Sequence, residues 1–221
     1  MALSHDWPLF CLRIQTPRLS LSYPTDDDLE VLNTLVSHGI HDPAIMPFEI
    51  PWTDEPPEIR PRHSLQFWWG LRANWRPDKW TLTMVVREDQ TVVGVQDLVG
   101  TDFAVTRQVV TGSWLGKAYQ GRGIGKEMRA AILHLAFAGL GAERATSAAF
   151  EDNAASLAIS KALGYVQNGE EIKAPRGTPV RAIRLLLQRK VWEQRRRTDI
   201  QIHGLERCLP MFGLNRESAN D

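Results

Sequence analysis

The segment Gln120-Gly121-Arg122-Gly123-Ile124-Gly125-Lys126 constrains this chain more than any other, because it places three glycines between a strand pattern and a helix pattern. Upstream, residues 109–115 read Val-Val-Thr-Gly-Ser-Trp-Leu, a β-branched run that suits a strand. Downstream, Ile124, Met128, Ala131, Ile132, Leu135 and Ala136 recur at helical spacing. A helix that starts at glycines leaves its first amides without internal acceptors and with no Cβ to keep a ligand away. The helix dipole adds partial positive charge there, so a phosphate or pyrophosphate is the natural occupant. The same glycines could serve a tight turn and close packing alone, and the loop by itself does not choose between the two.

Two familiar phosphate loops can be tested against it. A Walker loop needs glycine, four spacers, then Gly-Lys-Ser/Thr. Here Gly125-Lys126 is followed by Glu127, and Gln120 stands where the first glycine belongs. A dinucleotide fingerprint needs Gly-x-Gly-x-x-Gly in a first parallel βα unit. The spacing Gly121, Gly123, Gly125 does not match it, and the loop follows strands that read as an antiparallel meander.

The rest of the chain supplies one α/β domain around this unit. Leu19 and Leu21 alternate with polar residues in a first strand at 18–23. Thr25 or Asp26 can then cap a helix whose stripe is Leu29, Leu32, Leu35 and Val36, ending near 37–39. Residues 41–61 carry six prolines and no period, as a long functional loop does. A Trp-rich helix is predicted over 62–75. Residues 81–87 and 91–99 form a hairpin across Glu88-Asp89-Gln90. After the glycine loop come a strand at 144–150, a helix at 154–163 closed by Gly164, and strands at 165–172 and 182–187. That order predicts a mixed, mostly antiparallel sheet flanked by helices. The domain is assigned to residues 1–188, and 189–221 to a C-terminal extension packed on the domain or on a partner subunit.

Composition narrows the function classes. Twenty-six basic residues balance twenty-six acidic ones, so the basic excess of a nucleic-acid binder is missing, and the short run Arg195-Arg196-Arg197 reads as surface. The weakly polar stretch 130–142 contains His134 and is too short to span a bilayer. The first residues lack the basic and apolar regions of a secretory signal, and two cysteines, Cys11 and Cys208, do not make a disulfide scaffold. The expectation is a cytoplasmic protein with no nucleic-acid or membrane partner.

The glycine loop resembles motif A of the GNAT superfamily of acyl-CoA N-acyltransferases, Gln/Arg-x-x-Gly-x-Gly/Ala, with Gln120, Gly123 and Gly125 at its fixed positions. Asn153-Ala-Ala-Ser156 followed by Lys161-Ala-Leu-Gly164-Tyr165 resembles the family's Asn-x-x-Ser and Leu-Gly-Phe/Tyr segment. The order of elements agrees. Within the superfamily the likeness is closest to the branch of ribosomal-protein N-terminal acetyltransferases, and there to an actinobacterial protein classed as a succinyltransferase. It is carried by His41-Asp42-Pro43, Met46-Pro47-Phe48, Pro51-Trp52, the stretch 112–116 and the stretch 127–131.

The resemblance implies a fold, a co-substrate and a site. The fold is the single-domain GNAT fold. The co-substrate is acetyl-CoA or succinyl-CoA, and the acceptor is a primary amine: a protein N-terminus, a lysine or a small molecule. Gln120, Gly121, Arg122, Gly123, Ile124, Gly125 and Lys126 would hold the CoA pyrophosphate. Strands 109–115 and 144–150 would splay, so that backbone around Trp114 and Leu115 meets the pantetheine arm. Asn153 would bond that arm and Ser156 would donate to the departing thiolate, although each is also an ordinary helix-start residue. Glu49, His41, Asp97, Glu170 and Glu171 are candidate bases, and none is singled out. His38 and His41 have a metal-like spacing but no third ligand nearby, so no metal is expected. The acceptor-side prolines and tryptophans would also suit the dimer surface of a homodimer or higher homo-oligomer. A CoA-binding sensor or assembly subunit of the same fold, without turnover, is the alternative reading.

Overall fold

The computed structural model of the protein describes residues 3–215. Nine strands form one sheet: β1 (Arg13–Gln15), β2 (Leu19–Ser22), β3 (Lys79–Glu88), β4 (Thr91–Thr101), β5 (Gln108–Leu115), β6 (Arg144–Phe150), β7 (Val166–Lys173), β8 (Val180–Gln188) and β9 (Gln201–His203). Six α-helices accompany them: α1 (Asp26–Ser37), α2 (Arg60–Ala73), α3 (Phe103–Thr106), α4 (Ile124–His134), α5 (Ala154–Leu163) and α6 (Arg189–Glu193). The strand order is β7-β8-β6-β5-β4-β3-β2-β1-β9, and only β5 and β6 run parallel.

Local chemistry explains the boundaries. Thr25 and Asp28 form a reciprocal capping box at α1, and both of their bonds to backbone amides are present. The β3–β4 turn places Asp89 and Gln90 at φ of 47° and 69°, the left-handed pair of a two-residue hairpin that matches strand twist. Helix α2 begins two residues before its predicted start, because Pro61 sits inside the first turn, where its missing N–H costs nothing. Helix α4 runs on into a widened π-helical turn, Leu135–Gly139, before the chain drops into β6.

Side-chain alternation sorts the two faces of the sheet. Leu82, Met84, Val86, Val109 and Leu115 join the main core with Ile124, Met128, Ile132 and Leu135 from the glycine-loop helix and its π-helical turn. Val85 and Val95 point the other way and meet Leu29 and Leu32 of α1. The stretch after β8 belongs to this architecture: β9 pairs antiparallel with β1, and Trp192, Cys208, Phe212 and Leu214 are buried in the main core. β1 and β9 lie outside the sequence expectation, since three residues are too few to display a period.

Candidate active site

The opening of the sheet sits between β5 and β6. They pair only through Gln108↔Arg144, Val109↔Ala145 and Val110↔Thr146. Beyond that point β5 follows β4 as far as Leu115, and β6 follows β8 as far as Phe150. The apex is closed by side chains: Thr111 Oγ1 donates to Thr146 O, and Ser147 Oγ donates to Thr111 O, each at 3.3 Å. Tyr165 Oη stands 3.2 Å from the Thr111 hydroxyl.

Register decides which backbone groups are free in the gap. Gly116 N donates to Val93 O at 2.9 Å, so alternate residues Trp114 and Gly112 also bond to β4. Ser113 and Leu115 therefore turn their amides toward the opening. Of the stretch expected to meet the pantetheine arm, Trp114 itself bonds to β4, and its indole lies 6.3 Å from the Trp52 ring.

At the mouth of the gap, Gly121 and Gly123 adopt φ of 74° and 80°, a region costly for residues with a Cβ. Gly123 caps α4 without a side-chain bond, and the first intrahelical bond is Glu127 N to Gly123 O at 3.2 Å. The amides of Ile124, Gly125 and Lys126 therefore have no helical acceptor, which makes an anion cradle. Gly125 has a different task. A Cβ there would lie 3.0 Å from Ile159 Cδ1 and 3.6 Å from Leu115 Cδ1, so this glycine lets α4, α5 and β5 converge.

Gln120 braces the loop. Its Nε2 donates to Ile40 O at 2.7 Å and to Leu115 O at 3.0 Å, and its amide donates to Lys117 O. Its donors are thus committed within the fold and not turned to a ligand. Arg122 is likewise turned to Glu88, Nη2 to Oε2 at 2.7 Å. Lys126 is exposed, makes no ion pair among the described residues, and borders a cavity of about 360 Å³ that also touches His134, Arg195 and Arg197.

Sequence reasoning did not find the clamp behind this loop. Glu127, in the first turn of α4, accepts from Thr16 Oγ1 at 2.6 Å and from Arg18 Nε at 2.8 Å. Burial works to raise its pKa, but the Thr16 and Arg18 bonds prevail and hold the carboxyl below its usual range. Arg18 also donates to Arg122 O at 3.3 Å, so one arginine ties β2, the loop and the helix together. No local motif marks such a long-range pair.

Helix α5 brings the second cluster. Asn153 Oδ1 accepts from Ser156 N at 3.1 Å, a true N-cap, while its Nδ2 has no bond to a described residue. The Ser156 hydroxyl is half-buried and likewise has no partner among the described residues. Asn153 can therefore cap α5 and keep its Nδ2 as a donor, and the Ser156 hydroxyl is free to donate.

The opposite face carries the candidate base. Asp97 on β4 accepts from Thr83 Oγ1 at 2.7 Å, and its Oδ2 lies on the side of Gly112, opposite it on β5. Burial pushes the Asp97 carboxyl up to about 6, against a smaller lowering by Thr83. The other candidates are placed elsewhere. His41 bonds to Asp42 O and Thr53 Oγ1, Glu49 pairs with Lys173, and Glu170 and Glu171 pair with Arg181 and Arg184. Arg176 grips Asp54 through two bonds of 2.7 and 2.6 Å, fastening the proline-rich loop to the β7–β8 connection. Between that loop and the bare face of β6, β8 and β7 runs a groove of about 540 Å³, lined in part by Val110, Arg144, Thr146, Lys173 and Arg184. Among the described residues no cluster of His, Cys, Asp and Glu has metal-site geometry, and no helix is long and apolar enough to cross a membrane.

The sequence profile of the acetyltransferase (GNAT) domain matches residues 18–166. Solved structures share the whole fold. Mycobacterium smegmatis RimJ, in complex with CoA-disulfide, superposes with a TM-score of 0.66 at 18% identity, over 80% of this chain and 85% of its own. RimL, a ribosomal L7/L12 alpha-N-protein acetyltransferase solved with coenzyme A, gives a TM-score of 0.62 at 17% identity, over 78% and 95%. The microcin C7 self-immunity acetyltransferase MccE, solved with acetyl-CoA and AMP, gives 0.60 at 17%, over 78% and 93%.

Proposed function

The chain belongs to the GNAT acetyltransferase family, and from that premise we propose that it moves an acyl group, acetyl or succinyl, from a coenzyme A thioester to a primary amine. The observation that carries this reading is the β5–β6 opening with the free amides of α4 at its mouth. An acyl-CoA has the matching parts. Its pyrophosphate suits the Ile124–Lys126 amides with Gly121 and Gly123 beside them. Its pantetheine amides suit the strand edge at Ser113 and Leu115 and the free Nδ2 of Asn153.

The chemistry then runs across the sheet. An amine entering from the groove attacks the thioester carbon, forming a C–N bond. The electron pair of the carbonyl moves to oxygen, where the Ser113 or Leu115 amide can receive it. Collapse breaks the C–S bond and leaves the pair on sulfur. The amine proton passes to Asp97, whose raised pKa suits proton acceptance near neutrality. Ser156 is the nearby hydroxyl that can donate to the departing sulfur.

Asp97 favours an enzyme over a silent CoA-binding subunit, because it places a carboxylate of base character on the acceptor face. The acceptor is a protein N-terminus, a lysine or a small amine, and the groove's length and mixed charge suit an extended substrate. A succinyl carboxylate would find cations in the same groove, at Arg144 and Arg184. Calorimetry with CoA, acetyl-CoA and succinyl-CoA, followed by thiol-release assays over an amine panel, tests the reading. Binding of a thioester with amine-dependent thiol release supports it; failure of every CoA species to bind overturns it.

A further inference from the structure

Arg129 lies on the α4 face turned to α5 and β5, and it is 4% exposed. Half-buried Arg87, by contrast, pairs with the Asp28 carboxylate. Arg129 has none within ion-pairing distance among the described residues. Its Nη1 donates to Ser160 Oγ at 3.1 Å and its Nη2 to Ser113 Oγ at 3.0 Å, while Nε is buried without a partner. Tyr165, the titratable group facing it from the start of β7, is itself buried and bonded to Thr111.

A buried cation without a counter-charge is costly, and neutral hydroxyls repay only part of that cost. If Arg129 served only to tie α4, α5 and β5 together, an uncharged side chain reaching the two serines would do so more cheaply. Its placement supplies a different reason. Ser113, which receives Nη2, is also the residue whose backbone faces the opening. Ser160, which receives Nη1, donates to Ser156 O at 2.9 Å. The charge is thus held between the two elements that flank the reacting end of the pantetheine arm.

We propose that Arg129 is a fixed positive charge set under the β5–β6 opening to hold the departing CoA sulfur as a thiolate. The inference rests on the acyl-CoA reading above. In the step it serves, the C–S bond breaks, the electron pair stays on sulfur and the amine proton resides on Asp97, so bond cleavage requires no strong acid. The diphosphate is not the anion addressed, because its cradle is at the first α4 amides, more than a turn away along the helix.

The test needs no acceptor. The thiol of CoA bound to the protein is titrated by its ultraviolet thiolate absorbance, with desulfo-CoA complexes as blanks. The bound thiol should titrate about one to two units below the ordinary value near 8.5. R129K should retain most of that shift, and R129M, with circular dichroism and CoA affinity confirming its fold, should lose it. A bound thiol that titrates like free CoA in the wild-type protein overturns the proposal, whether or not R129M folds, and so does an unchanged shift in R129M. Failure of the wild-type protein to bind CoA overturns the acyl-CoA reading and this inference with it; binding without a shift overturns this inference alone.

Discussion

Thr83 Oγ1 donates a 2.7 Å hydrogen bond to Asp97 Oδ1 across the β3–β4 hairpin, which fixes the carboxylate and leaves its other oxygen on the Gly112 side. The bond stabilises the anion, yet burial dominates and the pKa rises to about 6. The folded state therefore binds this proton more tightly than the unfolded chain. The resulting stability is full at low pH and is lost as pH rises through about 6.

Asp97→Asn removes that penalty. The variant should melt higher than wild type at pH 8, by on the order of 1–3 kcal/mol, with the gain vanishing near pH 4. Its acyl transfer should fall roughly 10²–10⁴-fold, and the acidic limb of the kcat/KM profile near 6 should disappear. Melting curves and pH–rate profiles on one preparation check both; an unchanged acidic limb would remove Asp97 from the base role.

Asn153 makes two separable contributions. Asn153→Ala should cost about 0.5–2 kcal/mol through loss of the N-cap. Asn153→Asp keeps an oxygen that accepts from Ser156 N, replaces the Nδ2 donor with a second acceptor and adds a negative charge that the helix N-terminus tolerates. It should melt like wild type yet bind CoA several-fold more weakly. Equal CoA affinity in Asn153→Asp would leave capping as its whole role.

Ser156→Ala should lower kcat more than it changes KM for the acyl donor, with thermal stability unchanged, because its hydroxyl has no partner among the described residues. A drop in melting temperature with normal turnover per folded molecule would assign Ser156 to the helix start alone.

Two of the loop glycines should respond differently. Gly125→Val forces a branched side chain against Ile159 and should destabilise the protein by about 1–3 kcal/mol, with weaker CoA binding as a secondary result. Gly121→Ala meets open space and loses only the freedom of its left-handed φ of 74°, a cost of about 1 kcal/mol. Denaturant midpoints of the two variants measure the difference.

Much of this molecule can be read from its sequence where a period or a cap is strong. The edges of β6 and α5 stand where residues 144–150 and 154–163 place them, because Gly141, Asn153 and Gly164 punctuate the chain there. The opening between β5 and β6 was expected only from family likeness; no local pattern announces that pairing stops after Val110. Glu127 and Arg129 sit within the α4 pattern as ordinary polar residues. Their partners Thr16, Arg18, Ser113 and Ser160 are distant in sequence, so only the assembled fold shows that one is a clamp and the other an uncompensated charge. Gln120 was rightly placed in the loop, but side-chain chemistry alone could not say that its amide is spent on Ile40 and Leu115.

The pairing of β9 with β1 makes the first and last strands neighbours, although nearly the whole chain separates them. Closing so long a loop is entropically slow, so this edge of the sheet is among the later parts to form. It cannot form until Gln201–His203 has been synthesised, after the eight other strands of the sheet, and the buried Cys208, Leu209 and Phe212 follow it. A chain cut before Gln201 would expose the strand edge of β1 and the apolar bed of Phe212. The stretch after β8 thus closes a sheet edge and fills part of the core in one move, so a truncation before it would cost both together.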